Sequence, residues 1–500
     1  MKKETWILLA VILASGVAFL DGSVVNLALP AFQKDFGATV IDLQWVINGY
    51  TLALASLLLI GGRLGDYVGQ RRVFSWGIVL FTLASVLCAR ASSIDQLIWF
   101  RAVQGIGAAL MIPGSLAIIM TNFAENRRGQ IFGLWAGITG GMAAAGSFFG
   151  GWLIQTFNWP SIFYVNVIIG ALALWATLTH VPESTHHGKE KLDWWGTLLI
   201  TLGLVGICFG LIEGPALGWA SQSIITSLVV GVLALIIFVF VEAKIQNPLV
   251  PLSIFKNWLV SGSNLVTLFL YFALNSTFVL LALNLQQIQG YSPSHTALAL
   301  VAFPLILLFL SGPAGKMADR IGPRQPMIWG PIVVSAAMAL LAVSGVGRSY
   351  VVAFLPGIIL WALGMCLIIA PLTKSAMSVE GRLAGAASGI NNAVSRIAAL
   401  LAIAVFGAVM IVLFTAQIKV ALADTTLDLS MQTHIASQSN KLAGLSIPSE
   451  WTKIEQTEAH QSVQTAFLYG YKRLMLHNAA LALLSGLIAS ATIRSPKKDI

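Results

Sequence analysis

From residue 223 to residue 243 the chain reads SIITSLVVGVLALIIFVFVEA, with one charge, and runs of this kind recur along its whole length. A helix that crosses a bilayer needs about 20 mostly apolar residues, whereas a membrane-barrel strand needs about 10 of alternating polarity. These runs are continuous and do not alternate, so they predict helices. Fourteen spans are expected, at about 6–30, 43–62, 73–90, 95–120, 130–156, 161–180, 194–213, 223–243, 258–287, 296–315, 327–346, 351–372, 384–415 and 466–492. Of 500 residues, 57% are hydrophobic and 10% charged, against roughly 25% charged in soluble domains. The fold class is therefore an all-α polytopic membrane protein. The first run follows Lys2 and Lys3 as a signal peptide would, but it is too long for an h-region and lacks a small-x-small cleavage site, so it is kept as helix 1.

An even number of spans puts both termini on one side, and the cations choose which. Lys2, Lys3, Arg63, Arg71, Arg72, Arg127, Arg128, Lys189, Lys191, Lys244, Lys256, Lys316, Arg320, Arg324, Lys374, Arg382, Arg494, Lys497 and Lys498 fall in one set of loops, while the opposite short loops hold Lys34, Arg90 and Arg348. By the positive-inside rule both termini are cytoplasmic, in a bacterial-type inner membrane. Topology thus accounts for the net charge of +9, and the dispersed cations predict no nucleic-acid partner. Cys88, Cys208 and Cys366 lie within separate spans and the histidines form no ligand set, so no metal site is expected.

The stretch GRLGDYVGQRR, Gly62 to Arg72, returns as GKMADRIGPRQ, Gly315 to Gln325. Gly62/Gly315, Asp66/Asp319, Gly69/Gly322 and Arg71/Arg324 match at one offset, 315 − 62 = 253. Both copies follow the second helix of a group, so the halves are parallel copies. Six helices fill roughly 180 residues, and the remaining offset matches two inserted spans. The organisation reads as 6+2+6: residues 1–182, an inserted pair at 183–255, and residues 256–500, with a polar extracytoplasmic segment at 416–465 whose length predicts helical structure of its own.

Inside the first run sits Asp21. A charge at a helix centre costs about 2.5–3.5 kcal/mol on insertion scales, so such groups face a bundle interior or a wet cavity and mark transport pathways. Asp21 is expected to line a cavity and to exchange protons, and Arg101, inside span 4, is its natural partner. Gln104 follows Arg101 on the same helical face, and both Asp21 and Gln104 are expected to contact substrate. Tyr271, Phe272 and Asn275 on span 9, with Trp361 and Met365 on span 12, are expected to line an apolar substrate pocket. The glycines of span 5, Gly133, Gly146, Gly150 and Gly151, permit close helix approach. No phosphate loop is present, so neither an enzyme nor an ATP-driven pump is expected.

GRLGDYVGQRR resembles the loop signature between helices 2 and 3 of the major facilitator superfamily. RAVQGIGAALMIPG, residues 101–114, resembles the helix 4 signature, and LDGSVVNLALP and DWWGTLL resemble those of helices 1 and 7 in its fourteen-helix drug/proton antiporter branch. The helix 5 signature is only partly kept, with Ser147 where proline belongs and Met142 where a glycine belongs. The resemblance implies two parallel pseudo-symmetric halves that alternate access, exporting small amphipathic or cationic compounds against protons. It implies that Arg101 couples protonation of Asp21 to conformational change. It also implies that Gly62, Asp66, Gly69, Arg71 and Arg72, with Gly315, Asp319, Arg320, Gly322 and Arg324, form the cytoplasmic gate. Protons are the coupling ion, with no other cofactor; membrane lipid and a small-molecule substrate are the expected partners, and an accessory protein is left unassigned. A specific metabolite or siderophore exporter, an uptake symporter and a non-transporting receptor are the alternatives.

Overall fold

A computed structural model describes residues 3–183, 192–347, 349–379 and 383–493. Lys2, Lys189, Lys191, Arg348, Arg382, Arg494, Lys497 and Lys498 of the topology argument lie outside the described residues. The described residues form helices and no strand. The first six are α1 (Lys3–Phe36), α2 (Val40–Val68), α3 (Gln70–Ala89), α4 (Ile94–Asn122), α5 (Glu125–Thr156) and α6 (Ser161–His180). Two follow, α7 (Trp194–Leu217) and α8 (Gln222–Lys244). The rest are α9 (Trp258–Leu283), α10 (Pro293–Leu300), α11 (Ala302–Ile321), α12 (Arg324–Ala342), α13 (Tyr350–Ala353), α14 (Leu355–Ala376), α15 (Leu383–Ala423), α16 (Leu429–Ser437) and α17 (Lys453–Thr492). Thirteen described stretches are long and apolar enough to cross a membrane. The fifth expected span is α5, an unbroken 32-residue helix, several of whose side chains lie outside the description.

Local chemistry sets the helix ends. Thr39 and Asp42 form a capping box that starts α2, with Thr39 N donating to Asp42 Oδ2 at 2.7 Å. Ser93 caps α4, Asp193 caps α7, and Thr452 with Glu455 starts α17. The tenth expected span is broken at Val301 into α10 and α11, because Pro304 has no N–H for the Leu300 carbonyl. The last two long spans overrun their expected bounds. Most of the polar segment 416–465 is taken up by the extension of α15 to Ala423, by α16, by a 3₁₀ stretch Ser439–Gly444 and by the start of α17 at Lys453. Its Leu427, Ile435 and Leu442 are buried, and Lys441 O accepts from Gln33 Nε2 of α1 at 2.9 Å.

The chain zigzags, so loops alternate between two faces, named here for Gly69 and Gly37. The repeat is real in three dimensions. Gly69 and Gly322 both turn the chain with positive φ, +119° and +84°. A Cβ on Gly62 would lie 3.3 Å from Pro113 of α4, and one on Gly315 would lie 3.3 Å from Ala370 of α14. Each half thus packs its second helix on its fourth through the same glycine. α7 and α8 pack on each other, and α7 rests on α2 and α15. Trp45 Nε1 of α2 donates to Glu213 of α7 at 2.8 Å, and Arg63 donates to the carbonyls of Asn247 and Pro248.

The halves meet firmly on the Gly37 face. Gln286 Nε2 donates to Leu27 O at 3.3 Å, Gln287 Nε2 to Gln33 Oε1 at 2.8 Å, and Gln44 Nε2 to Ile403 O at 2.7 Å. A Cβ on Gly151 of α5 would lie 2.7 Å from Pro293 O of α10. Towards the Gly69 face, Gly137, Gly140 and Gly141 of α5 and Gly312 of α11 have nothing within 4 Å of an added Cβ. On that flank the space between the halves is open.

Candidate functional site: a buried ion pair and the space between the halves

Asp21 sits on the face of α1 that turns into its own bundle. Its side chain and that of Arg101 are each 1% exposed. Arg101 Nη1 donates to Asp21 Oδ2, and Oδ1 accepts from Gln104 Nε2 at 3.0 Å and from Asn166 Nδ2 of α6 at 2.7 Å. The guanidinium also donates to Gln104 Oε1 at 2.6 Å and to Val46 O of α2 at 3.3 Å. Its Cζ lies 4.4 Å from the centroid of the Tyr50 ring. Ser85 of α3 completes the cluster, accepting from Gln104 Nε2 at 2.8 Å. Each charge is neutralised and each carboxylate oxygen hydrogen-bonded, as a buried pair requires. Close helix approach makes this possible: Gly105 of α4 packs on the Tyr50 backbone, which draws α4 onto α2 beneath the ring.

Asp21 and Arg101 are therefore brought together as expected, but the carboxylate does not line the gap. Gly22, the next residue, has open space where its Cβ would be, so the open side of α1 begins one residue later. Gln104, expected in the substrate pocket, is fully buried as a ligand of Asp21. Trp361 and Met365 are also corrected. Trp361 is fully buried with ring centroids 4.6 Å from Phe278 and 4.4 Å from Phe303, and Met365 is 2% exposed, so both belong to the core of the second half. Tyr271, Phe272 and Asn275 are half-buried on α9, with Asn275 Nδ2 bonded to Tyr271 O at 2.7 Å.

The loop residues divide in a similar way. Arg71 N donates to Glu183 Oε1 at 3.2 Å, and Arg72 Nε lies 3.6 Å from Glu183 Oε2. The carboxylate at the start of α3 is thus Glu183, just beyond α6, where an anion suits the helix N-terminus. Asp66, expected in the cytoplasmic gate, is exposed and accepts from Gln70 Nε2 at 3.2 Å. It lies on the solvent side of α2, while the turn at Gly69 aims the α3 N-terminus at Glu183. Arg71 Nη2 donates to Leu178 O at 2.6 Å and Arg324 Nη2 to Ser490 O at 3.5 Å. Arg320 is exposed, and the Asp319 side chain lies outside the description. In α5, Gly146 and Gly150 pack on Leu20 and Val24 of α1, while the packing of Gly133 lies outside the description.

Sequence reasoning missed Asn166, Ser85 and Tyr50. Asn166 had a signal, as a lone amide in the apolar run IFYVNVIIG. Ser85 and Tyr50 had none, since small hydroxyls and tyrosines are common in such helices.

The sequence profile of the Major Facilitator Superfamily matches residues 11–403. The chain is 33% identical over 422 residues to the multidrug resistance protein Stp of Mycobacterium tuberculosis, strain CDC 1551 / Oshkosh, covering 84% of this chain and 78% of that protein. It is 36% identical over 413 residues to the puromycin resistance protein pur8 of Streptomyces alboniger, covering 81% and 82%. In fold it is similar to the inward-facing, occupied form of a bacterial homologue of the human lysosomal transporter Spinster, with a TM-score of 0.65 and 15% identity over 100% of this chain and 98% of the other.

Proposed function

The chain belongs to the Major Facilitator Superfamily, and from that premise we propose that this membrane transporter is a proton-coupled exporter of small amphipathic or cationic compounds, working by alternating access. The observation that carries the reading is the Asp21–Arg101 pair, a charge couple inside a membrane bundle whose neutralisation must be felt by the helices holding it. Protonating Asp21 would leave the Arg101 charge uncompensated, and breaking a buried pair costs about 3–5 kcal/mol. Proton binding therefore drives α1 and α4 to a new mutual position, and α1 forms one wall of the gap. Movement of α1 against α5 then reaches α10 through Gly151, where the halves touch.

The cations of the Gly69 face orient it to the cytoplasm of a bacterial inner membrane, with both termini inside. The gap open on that face then receives cargo from the cytoplasm, and proton entry from the other side accompanies its release. Protons are the coupling ion, and lipid surrounds the bundle. Export also fits the resistance functions named for the similar proteins of Mycobacterium and Streptomyces.

Everted membrane vesicles test this reading. Acidifying their lumen should drive uptake of exported compounds, an uncoupler should abolish it, and Asp21→Asn should remove the response to the pH gradient. Uptake indifferent to the gradient in the wild-type protein would sink proton coupling.

A further inference from the structure

Arg396 of α15 is the intramembrane cation that the mechanism above leaves unused. It lies 396 − 383 = 13 residues, or about 20 Å, along α15 from Leu383, within the apolar part of that helix. Among the described residues no carboxylate lies within 4.0 Å of its guanidinium, which also has no hydrogen-bond acceptor; its close contact is the Phe19 ring of α1, whose centroid is 5.2 Å from Cζ. Arg101, the same residue type in the same membrane, has a carboxylate, an amide and a carbonyl. A buried or half-buried guanidinium without a counter-ion is costly, and its expected partner is something that arrives.

The side chain faces the space between the halves. Asn392, one turn earlier on α15, is exposed, and Phe19 and Gly22 on the facing side of α1 are half-buried. The phenols of Tyr271 and Tyr50 stand within electrostatic reach of the same guanidinium. Asp21, the acid nearest in sequence to Phe19, points away and is fully engaged. The charge presented to the gap is thus positive, with aromatic surface beside it.

We propose that Arg396 is the anion subsite of this gap, so that the compounds carried bear a carboxylate beside an apolar body. The planar fork of arginine matches a carboxylate in bidentate geometry, and Phe19 and Tyr271 offer the apolar surface. This inference rests on the transporter reading and narrows its cargo from amphipathic or cationic compounds to amphipathic acids.

Dansylglycine and dansylamide share one fluorescent body and differ in the carboxylate. Their binding to the full chain in zwitterionic-lipid nanodiscs, read by dansyl fluorescence, tests the subsite. Dansylglycine should bind about tenfold to a hundredfold more tightly, as one charge-assisted contact implies. Arg396→Gln should bring it to the dansylamide level and leave dansylamide unchanged, and Arg396→Lys should fall between. Equal binding of the two probes by the wild-type protein, absence of binding included, or a preference that survives Arg396→Gln overturns the assignment. Should Arg396→Gln not fold, Arg396→Lys carries the comparison, and an undiminished acid preference there overturns it. Gradient-driven uptake of dansylglycine by everted vesicles separates the two readings. An acid preference that depends on Arg396 without such uptake leaves the subsite standing and removes antiport, whereas uptake without the preference does the reverse.

Discussion

Arg71 and Arg324 stand 253 positions apart and make one contact twice: each donates to a carbonyl in the last turn of the final helix of its own half, Leu178 O at 2.6 Å and Ser490 O at 3.5 Å. The C-terminal turn of a helix leaves carbonyls without partners and carries partial negative charge, so a guanidinium there satisfies both needs. The duplicated loop thereby ties the third helix of each half to the sixth.

Such a contact contributes about 0.3–1 kcal/mol at a partly exposed helix end. Arg71→Ala should therefore lower the apparent Tm of the purified protein by a few degrees at most. Arg324→Ala should lower it less, because its contact is longer. Differential scanning fluorimetry of both variants checks this, and a larger loss in Arg324→Ala would mean that the symmetry of the two loops is not energetic.

Much of this arrangement was legible in the sequence. Membrane helices must satisfy their own backbone, so length and hydropathy alone define them, and the paired motifs at Gly62 and Gly315 reveal the duplication. The direction in which Asp21 points was not legible. Neighbouring residues on a helix lie 100° apart, so Asp21 faces the bundle while Gly22 faces the gap, and a sequence without tertiary context does not say which side is which. Glu183 escaped for a related reason. It lies outside every motif, yet the turn at Gly69 brings the α3 N-terminus to it, leaving Asp66 in solvent. Trp361 and Met365 look like pocket residues by composition, but core and pocket use the same apolar side chains.

The Asp21–Arg101 pair should behave as one unit in a double-mutant cycle. Asp21→Asn alone leaves a buried cation and should cost about 3–5 kcal/mol, with a similar loss for Arg101→Gln. The double variant should be more stable than the sum of these losses by about 1–3 kcal/mol. Unfolding measured in mild detergent gives all four corners, and additive losses would mean that the two charges do not interact. Because the proposed coupling runs through this pair, Asp21→Asn should also remove the dependence of transport on the pH gradient.

The glycines of α5 should divide by what faces them. A Cβ on Gly150 would lie 2.5 Å from Val24 Cγ1 and 2.8 Å from Cγ2, so α1 and α5 must separate to admit it. Overpacking of this kind costs about 1–3 kcal/mol, and Gly150→Ala should lower the apparent Tm accordingly. Gly140 has nothing within 4 Å of the same position, and alanine there relieves up to about 1 kcal/mol of helix propensity cost. Gly140→Ala should therefore be neutral or stabilising. The contrast also reports on conformation. If α5 closes onto α11 during transport, Gly140→Ala should slow turnover in a vesicle assay without loss of thermal stability, whereas Gly150→Ala should reduce both.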